Sequence, residues 1–121
     1  MENDHPLIEL KNITQTEAGI FRRIFIDDDN DLTVWYDLER RLIGFQLSIY
    51  DIAITYDKNK LKIQKIDFCE KDNLAPILKE TTVIDFAKVI DYLERNNQNI
   101  DQPLMDYIFK ALAEGRTGLG R

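Results

Sequence analysis

Few residues in this chain are of types that do chemistry, and their spacing decides what each can do. The acidic run Asp27-Asp28-Asp29-Asn30-Asp31 opens like a calcium loop, with carboxylates at the first, third and fifth positions. The pattern then breaks. Leu32 stands where such a loop turns on glycine, and Leu38 holds the twelfth position, where a bidentate Glu closes the coordination sphere. Strand-like runs flank the stretch, so it reads as a solvated hairpin tip. His5 and Cys69 are the single imidazole and the single thiol. A nucleophile and its base need mutual reach and a third group to orient them, and no motif here supplies that. One Cys and one His also rule out a Cys/His zinc site and an internal disulfide. Gly115, Gly118 and Gly120 are spaced G-x-x-G-x-G, but no strand precedes them and no helix follows. They read as a helix cap and a frayed end, not a phosphate loop. The expectation is therefore no catalytic residue, no metal ligand, no cofactor and no enzymatic activity.

Charge narrows the partners. Sixteen basic residues face 22 acidic ones, giving a formal net charge of −6 and a pI near 4.7. An anionic chain is repelled at long range by nucleic acid and by anionic lipid, so neither is an expected partner. Lys58, Lys60, Lys62 and Lys65 form a basic cluster, which reads as protection of a terminal strand against edge pairing. No apolar run approaches the roughly 20 residues that span a bilayer. The start, MENDHPLIELKN, lacks the apolar core of a signal peptide. These features predict a cytoplasmic protein.

The elements that would position any site follow from periodicity. Residues 1–19 are polar with scattered apolar positions and read as a loosely docked N-terminal arm. Residues 20–68 alternate like strands and residues 82–114 repeat like helices, with 116–121 a flexible tail. No linker or repeat divides the 121 residues, which are expected to form a single domain. The strand zone predicts an antiparallel meander of about four strands, with turns at Asp28-Asp29-Asn30, at Leu38-Glu39-Arg40-Arg41 and at Lys58-Asn59-Lys60. Tyr50-Asp51 reads as a bulge or bend. The helical zone predicts an αα-hairpin, 82–96 and 102–114, opened by a capping box at Thr82-Val83-Ile84-Asp85 and closed by Gly115. Val83, Phe86, Ala87, Ile90 and Leu93 make one apolar stripe, and Leu104, Ile108, Ala111 and Leu112 the other, widened by Met105 and Phe109. The fold class is α+β, with the hairpin of helices on one sheet face.

If Asp37 faces Leu42 across the second turn, one face carries Phe21, Phe25, Leu32, Val34, Tyr36, Ile43, Phe45, Leu47 and Ile49. That is the expected core, because a one-residue slip would turn all of it outward. The other face then carries Trp35 opposite Gly44, where an indole covers bare backbone. Arg22 is expected opposite Asp37. Arg22, Ile24, Ile26, Trp35, Leu42, Gln46 and Tyr50 make the candidate interaction surface on this second face, because aromatic anchors with a polar rim dominate protein contacts. It suits a protein partner or a homodimer. The competing expectation is that Leu7, Ile8, Leu10 and Ile13 of the arm fold back over Trp35. The alternative function is a small-ligand pocket between sheet and helices, with Tyr36, Tyr92 and Tyr107 as polar contacts.

Arg22-Arg23-Ile24-Phe25, Asp31-Leu32-Thr33-Val34-Trp35-Tyr36-Asp37, Ile43-Gly44-Phe45-Gln46-Leu47 and Tyr50-Asp51 resemble a family of small uncharacterised bacterial proteins. Its members carry a DL-x-V-W strand followed by a GFQL…YD strand, and Ala75-Pro76-Ile77-Leu78 is similar too. The chain departs from that pattern by Ser48-Ile49 before Tyr50-Asp51. The resemblance implies a bacterial single domain and no particular activity.

Overall fold

Turn chemistry sets the sheet. In the computed structural model, which describes residues 6–15, 18–67, 77–80 and 86–119, Asp27 folds the first hairpin tip around itself. Its Oδ1 accepts from the backbone N–H of Asp29 and Asn30, both at 2.8 Å. At the second tip Arg40 N–H donates to Asp37 O and Arg40 takes a left-handed φ of 65°. This is a three-residue loop ending in a left-handed residue, one of the standard hairpin closures. Tyr50-Asp51 is a tight two-residue reversal, with Tyr50 at φ 56° and Ile49 opposite Ile52. Lys58 and Asn59 both have positive φ, as a two-residue type I′ turn requires.

Among the described residues these turns produce one antiparallel seven-stranded sheet whose spatial order follows the sequence. The strands are β1 (Ile8–Glu9), β2 (Phe21–Ile26), β3 (Asp31–Tyr36), β4 (Leu42–Ile49), β5 (Ile52–Asp57), β6 (Lys60–Asp67) and β7 (Ile77–Glu80). The helices α1 (Phe86–Asn96) and α2 (Gln102–Leu119) follow. The α+β meander agrees with the sequence, but the strand count is higher than about four. The expected bend at Tyr50-Asp51 is a full turn, and β1 and β7 add an edge on each side.

The helices cover one face. Phe25, Leu32, Val34, Phe45, Leu47 and Ile49, with Ile54 and Ile63 from β5 and β6, bury against Phe86, Val89, Leu93, Leu104, Ile108 and Leu112. Phe45 stacks on Tyr56 with centroids 5.7 Å apart, and Tyr107 of α2 meets both rings edge-on. Asp91 pairs with Arg95 on the wet side of α1 at 2.9 Å, at the expected i,i+4 spacing. Ala87 faces solvent instead of the core, where Val89 and Tyr92 stand. Gly115 does not end α2, which continues to Leu119. The capping box at Thr82–Asp85, and His5, Cys69 and Ala75-Pro76, lie outside the described residues.

The N-terminal segment, read from sequence as a loose arm, is anchored at two places. Leu7 is wholly buried, its N–H donates to Asn96 O at 3.0 Å, and its carbonyl accepts from Asn99 Nδ2. Further on, the Gln15 side chain binds both the N–H and the carbonyl of Arg22. One amide thereby replaces a missing strand neighbour at the β2 edge.

Candidate functional site: the uncovered sheet face

Strand alternation places Arg22, Ile24 and Ile26 of β2 and Asp31, Thr33 and Trp35 of β3 on the face opposite the helices. Gly44, Gln46 and Ser48 of β4 and Thr55 and Asp57 of β5 share that face, by the register of Arg22 with Trp35, Trp35 with Gly44 and Gln46 with Thr55. The indole lies over Gly44 as expected: a Cβ there would come within 3.1 Å of Trp35 Cε3. Five of the seven expected surface residues, Arg22, Ile24, Ile26, Trp35 and Gln46, are therefore together.

Two are not. The register shifts by one between Trp35 and Tyr36, so Tyr36 pairs with Leu42 instead of Ile43. The short loop leaves one extra residue in β4, a bulge, and on its loop side the faces exchange. Leu42 turns in against the core, and Ile43 turns out beside Trp35. Tyr50 leaves the surface because its turn swings the ring to the helix side, where it meets Tyr92 edge-on at 6.2 Å under the Lys88 ammonium. Arg22 does not pair with Asp37. Its Nη2 donates to Thr14 O at 2.7 Å, and its buried Nε has no partner among the described residues. Asp37 instead closes its own loop, bonding Arg41 at 2.9 Å.

Sequence reasoning also missed residues that belong here. Ile20, Ile43, Thr55 and Asp57 line a surface hollow of about 240 Å³ around Trp35. Ile8 pairs with Ile26, and Leu10 N–H donates to Ile24 O, so the N-terminal segment lengthens the sheet beside β2. Ile8 is 58% exposed, Leu10 39%, Ile26 36% and Ile43 36%, so this segment extends the apolar face at its β2 margin. Contiguous apolar exposure of this kind marks a contact surface more often than scattered single residues do.

A second feature lies at the margin of the helix-covered face. Arg23 forks onto Glu9 with two 2.9 Å hydrogen bonds, reaches Asp101 at 3.0 Å, and donates to Tyr36 Oη at 3.0 Å. Glu9's hydrogen bond pushes the guanidinium further up in pKa, and Arg23's hydrogen bond holds the Glu9 carboxyl below its usual range. These groups, with Phe21 and Arg40, line a groove of about 420 Å³. Phe21, expected in the core, is 42% exposed, meeting the Tyr36 ring and the Arg40 guanidinium along this groove.

The acidic hairpin tip is occupied by its own structure. Asp27 Oδ2 accepts from Asn30 Nδ2 and from the Tyr92 hydroxyl of α1. Burial works to raise the Asp27 carboxyl, but the bonds from Tyr92, Asn30 and two backbone N–H groups outweigh it and hold it low. Burial, then the bond to Asp27, pushes the Tyr92 phenol up. Asp31 has no such donors, and burial followed by the Asp27 charge raises it. No helix among the described residues is long and apolar enough to cross a membrane. Comparison with protein-family models, with curated proteins and with solved structures finds no match to this chain.

Proposed function

We propose that the chain is a non-enzymatic interaction module whose contact surface is the sheet face around Trp35, used against a partner protein or a second copy. The observation that carries this reading is the exposed apolar tract of Ile8, Leu10, Ile26 and Ile43 on the side of the sheet that neither helix covers. A core accounts for one apolar sheet face, and among the described residues no helix packs on the second. Trp35 is its aromatic anchor, while Arg22, Gln46 and Asp57 supply the polar rim found around protein contacts. The setting we propose for it is the cytoplasm.

The test is the double variant Trp35→Ser with Ile43→Ser, followed by denaturant unfolding and by sedimentation or pull-down in parallel. The reading expects cooperative unfolding to survive and association to disappear. Loss of cooperative folding, with no association by the wild type at any concentration or with any partner, would overturn it.

The 420 Å³ groove favours one second reading, a small-ligand site at the margin of sheet and helices. Its volume falls within the usual range for ligand sites, and Tyr36, Arg23 and exposed Phe21 give it mixed polar and aromatic walls. A metabolite that raises the melting temperature of the wild type and fails to do so for Phe21→Ser would favour it.

A further inference from the structure

Two carboxylates on the Trp35 face have no counterion among the described residues. Asp31 and Asp57 make neither a hydrogen bond nor an ion pair among the described residues, although Lys60 is the cross-strand neighbour of Asp57. Asp57 lines the hollow beside Trp35, and Asp31 sits opposite Ile26 at the other corner of the apolar tract. Asp31 is partly buried without donors, which is costly to keep, and Asp57 is exposed; a cation brought by a partner would compensate the first and find the second accessible.

The sheet fixes their separation. Asp31 is aligned with Ser48 and then Ala53, and Asp57 lies four residues further along β5. Two strand spacings across and four residues along place them about 16 Å apart. In an α-helix, about 16 Å of rise is 11 residues, and positions i and i+11 fall on the same side. A strand laid on this face would leave its own backbone groups unpaired, whereas a helix satisfies them internally. The net charge of −6 also draws basic partners over long range.

Resting on the sheet-face reading, we propose that the occupant is a basic amphipathic helix of a partner protein. Its apolar side seats on Trp35, Ile24, Ile26 and Ile43, and two cations 11 residues apart reach Asp31 and Asp57.

Synthetic 18-residue helices test this against the full chain, by titration at low salt with Trp35 emission and calorimetry. One carries Leu at helical spacing with two Lys 11 residues apart on that side. The second has Glu at those positions, and the third has the Lys pair moved to opposite sides. The Lys peptide is expected to shift Trp35 emission and bind at least tenfold tighter than either control. Asp31→Asn with Asp57→Asn is expected to weaken it at least tenfold. Equal binding of Lys and Glu peptides, or no effect of the double Asn variant, overturns the proposal. In that event the sheet-face reading stands if Trp35→Ser with Ile43→Ser abolishes the binding. Failure of every peptide to bind also overturns the proposal, and the sheet-face reading then rests on its own double-serine test.

Discussion

Gly44→Ala is the smallest change that probes how Trp35 is held. A Cβ on Gly44 would lie 2.5 Å from the Tyr56 carbonyl oxygen and 3.1 Å from Trp35 Cε3. A carbon rests about 3.3 Å from a carbonyl oxygen, so β4 and β5 would have to part by roughly 0.8 Å. The obstacle is backbone, which no rotamer change relieves. Overpacking of this kind costs about 1–3 kcal/mol, against a total stability of roughly 5–15 kcal/mol. Urea unfolding should show a lower midpoint with an unchanged slope, and the melting temperature should fall by roughly 5–15 °C. The same substitution made in Trp35→Ala should cost nearly as much, because the Tyr56 contact remains. A neutral or stabilising Gly44→Ala would refute the close strand approach. Full rescue by Trp35→Ala would show that the indole, not the backbone, demands the glycine.

Three further outcomes are expected. Phe45→Ala removes a wholly buried ring that meets Tyr56 and Tyr107, and should cost about 3–5 kcal/mol by denaturant unfolding, with Phe21→Ala, exposed at the rim, costing far less. Asp27 has a lowered folded pKa, so its stabilisation is present above the ordinary carboxylate pKa and is lost as pH falls through the folded value; a melting-temperature profile should show a shallower acid limb in Tyr92→Phe, because the Asn30 and backbone donors remain. Asp31 has a raised pKa, so its stabilisation is complete below the unfolded value and is lost as pH rises; Asp31→Asn should therefore raise the melting temperature at pH 7 and leave it unchanged near pH 3.

Where pattern and local turn chemistry agree, the sequence was a sufficient guide. The register from Trp35–Gly44 to Leu32–Leu47 follows from alternation alone, because any slip would expose Phe45 and Leu47. The error at Leu42 and Ile43 came from the loop. Asp37 to Arg41 accommodates a three- or a four-residue closure, and the left-handed position is filled by Arg40, with no glycine to mark it. Tyr50 hid its turn for the same reason, since a bulky residue with positive φ carries no sequence signature. Strand β7 is four residues long with no sustained alternation, and its pairing with β6 is tertiary. Leu7 shows the same limit: an isolated leucine in a polar stretch gives no period, and its burial depends on Asn96 and Asn99 far along the chain. The Tyr92–Asp27 bond and the Arg23–Glu9–Asp101 cluster join residues from separate elements, so no local pattern announces them.

The proposed contact of the Trp35 face with a partner protein or a second copy can be captured in place. A photo-crosslinking amino acid placed at Trp35, in the full chain expressed in its source cells, tests it most directly, with Ala87 on the solvent side of α1 as the control position. A discrete protein adduct is expected from position 35, missing from position 87 and lost when Ile26→Ser and Ile43→Ser are added. No adduct at position 35, or the same adducts from both positions, would contradict it.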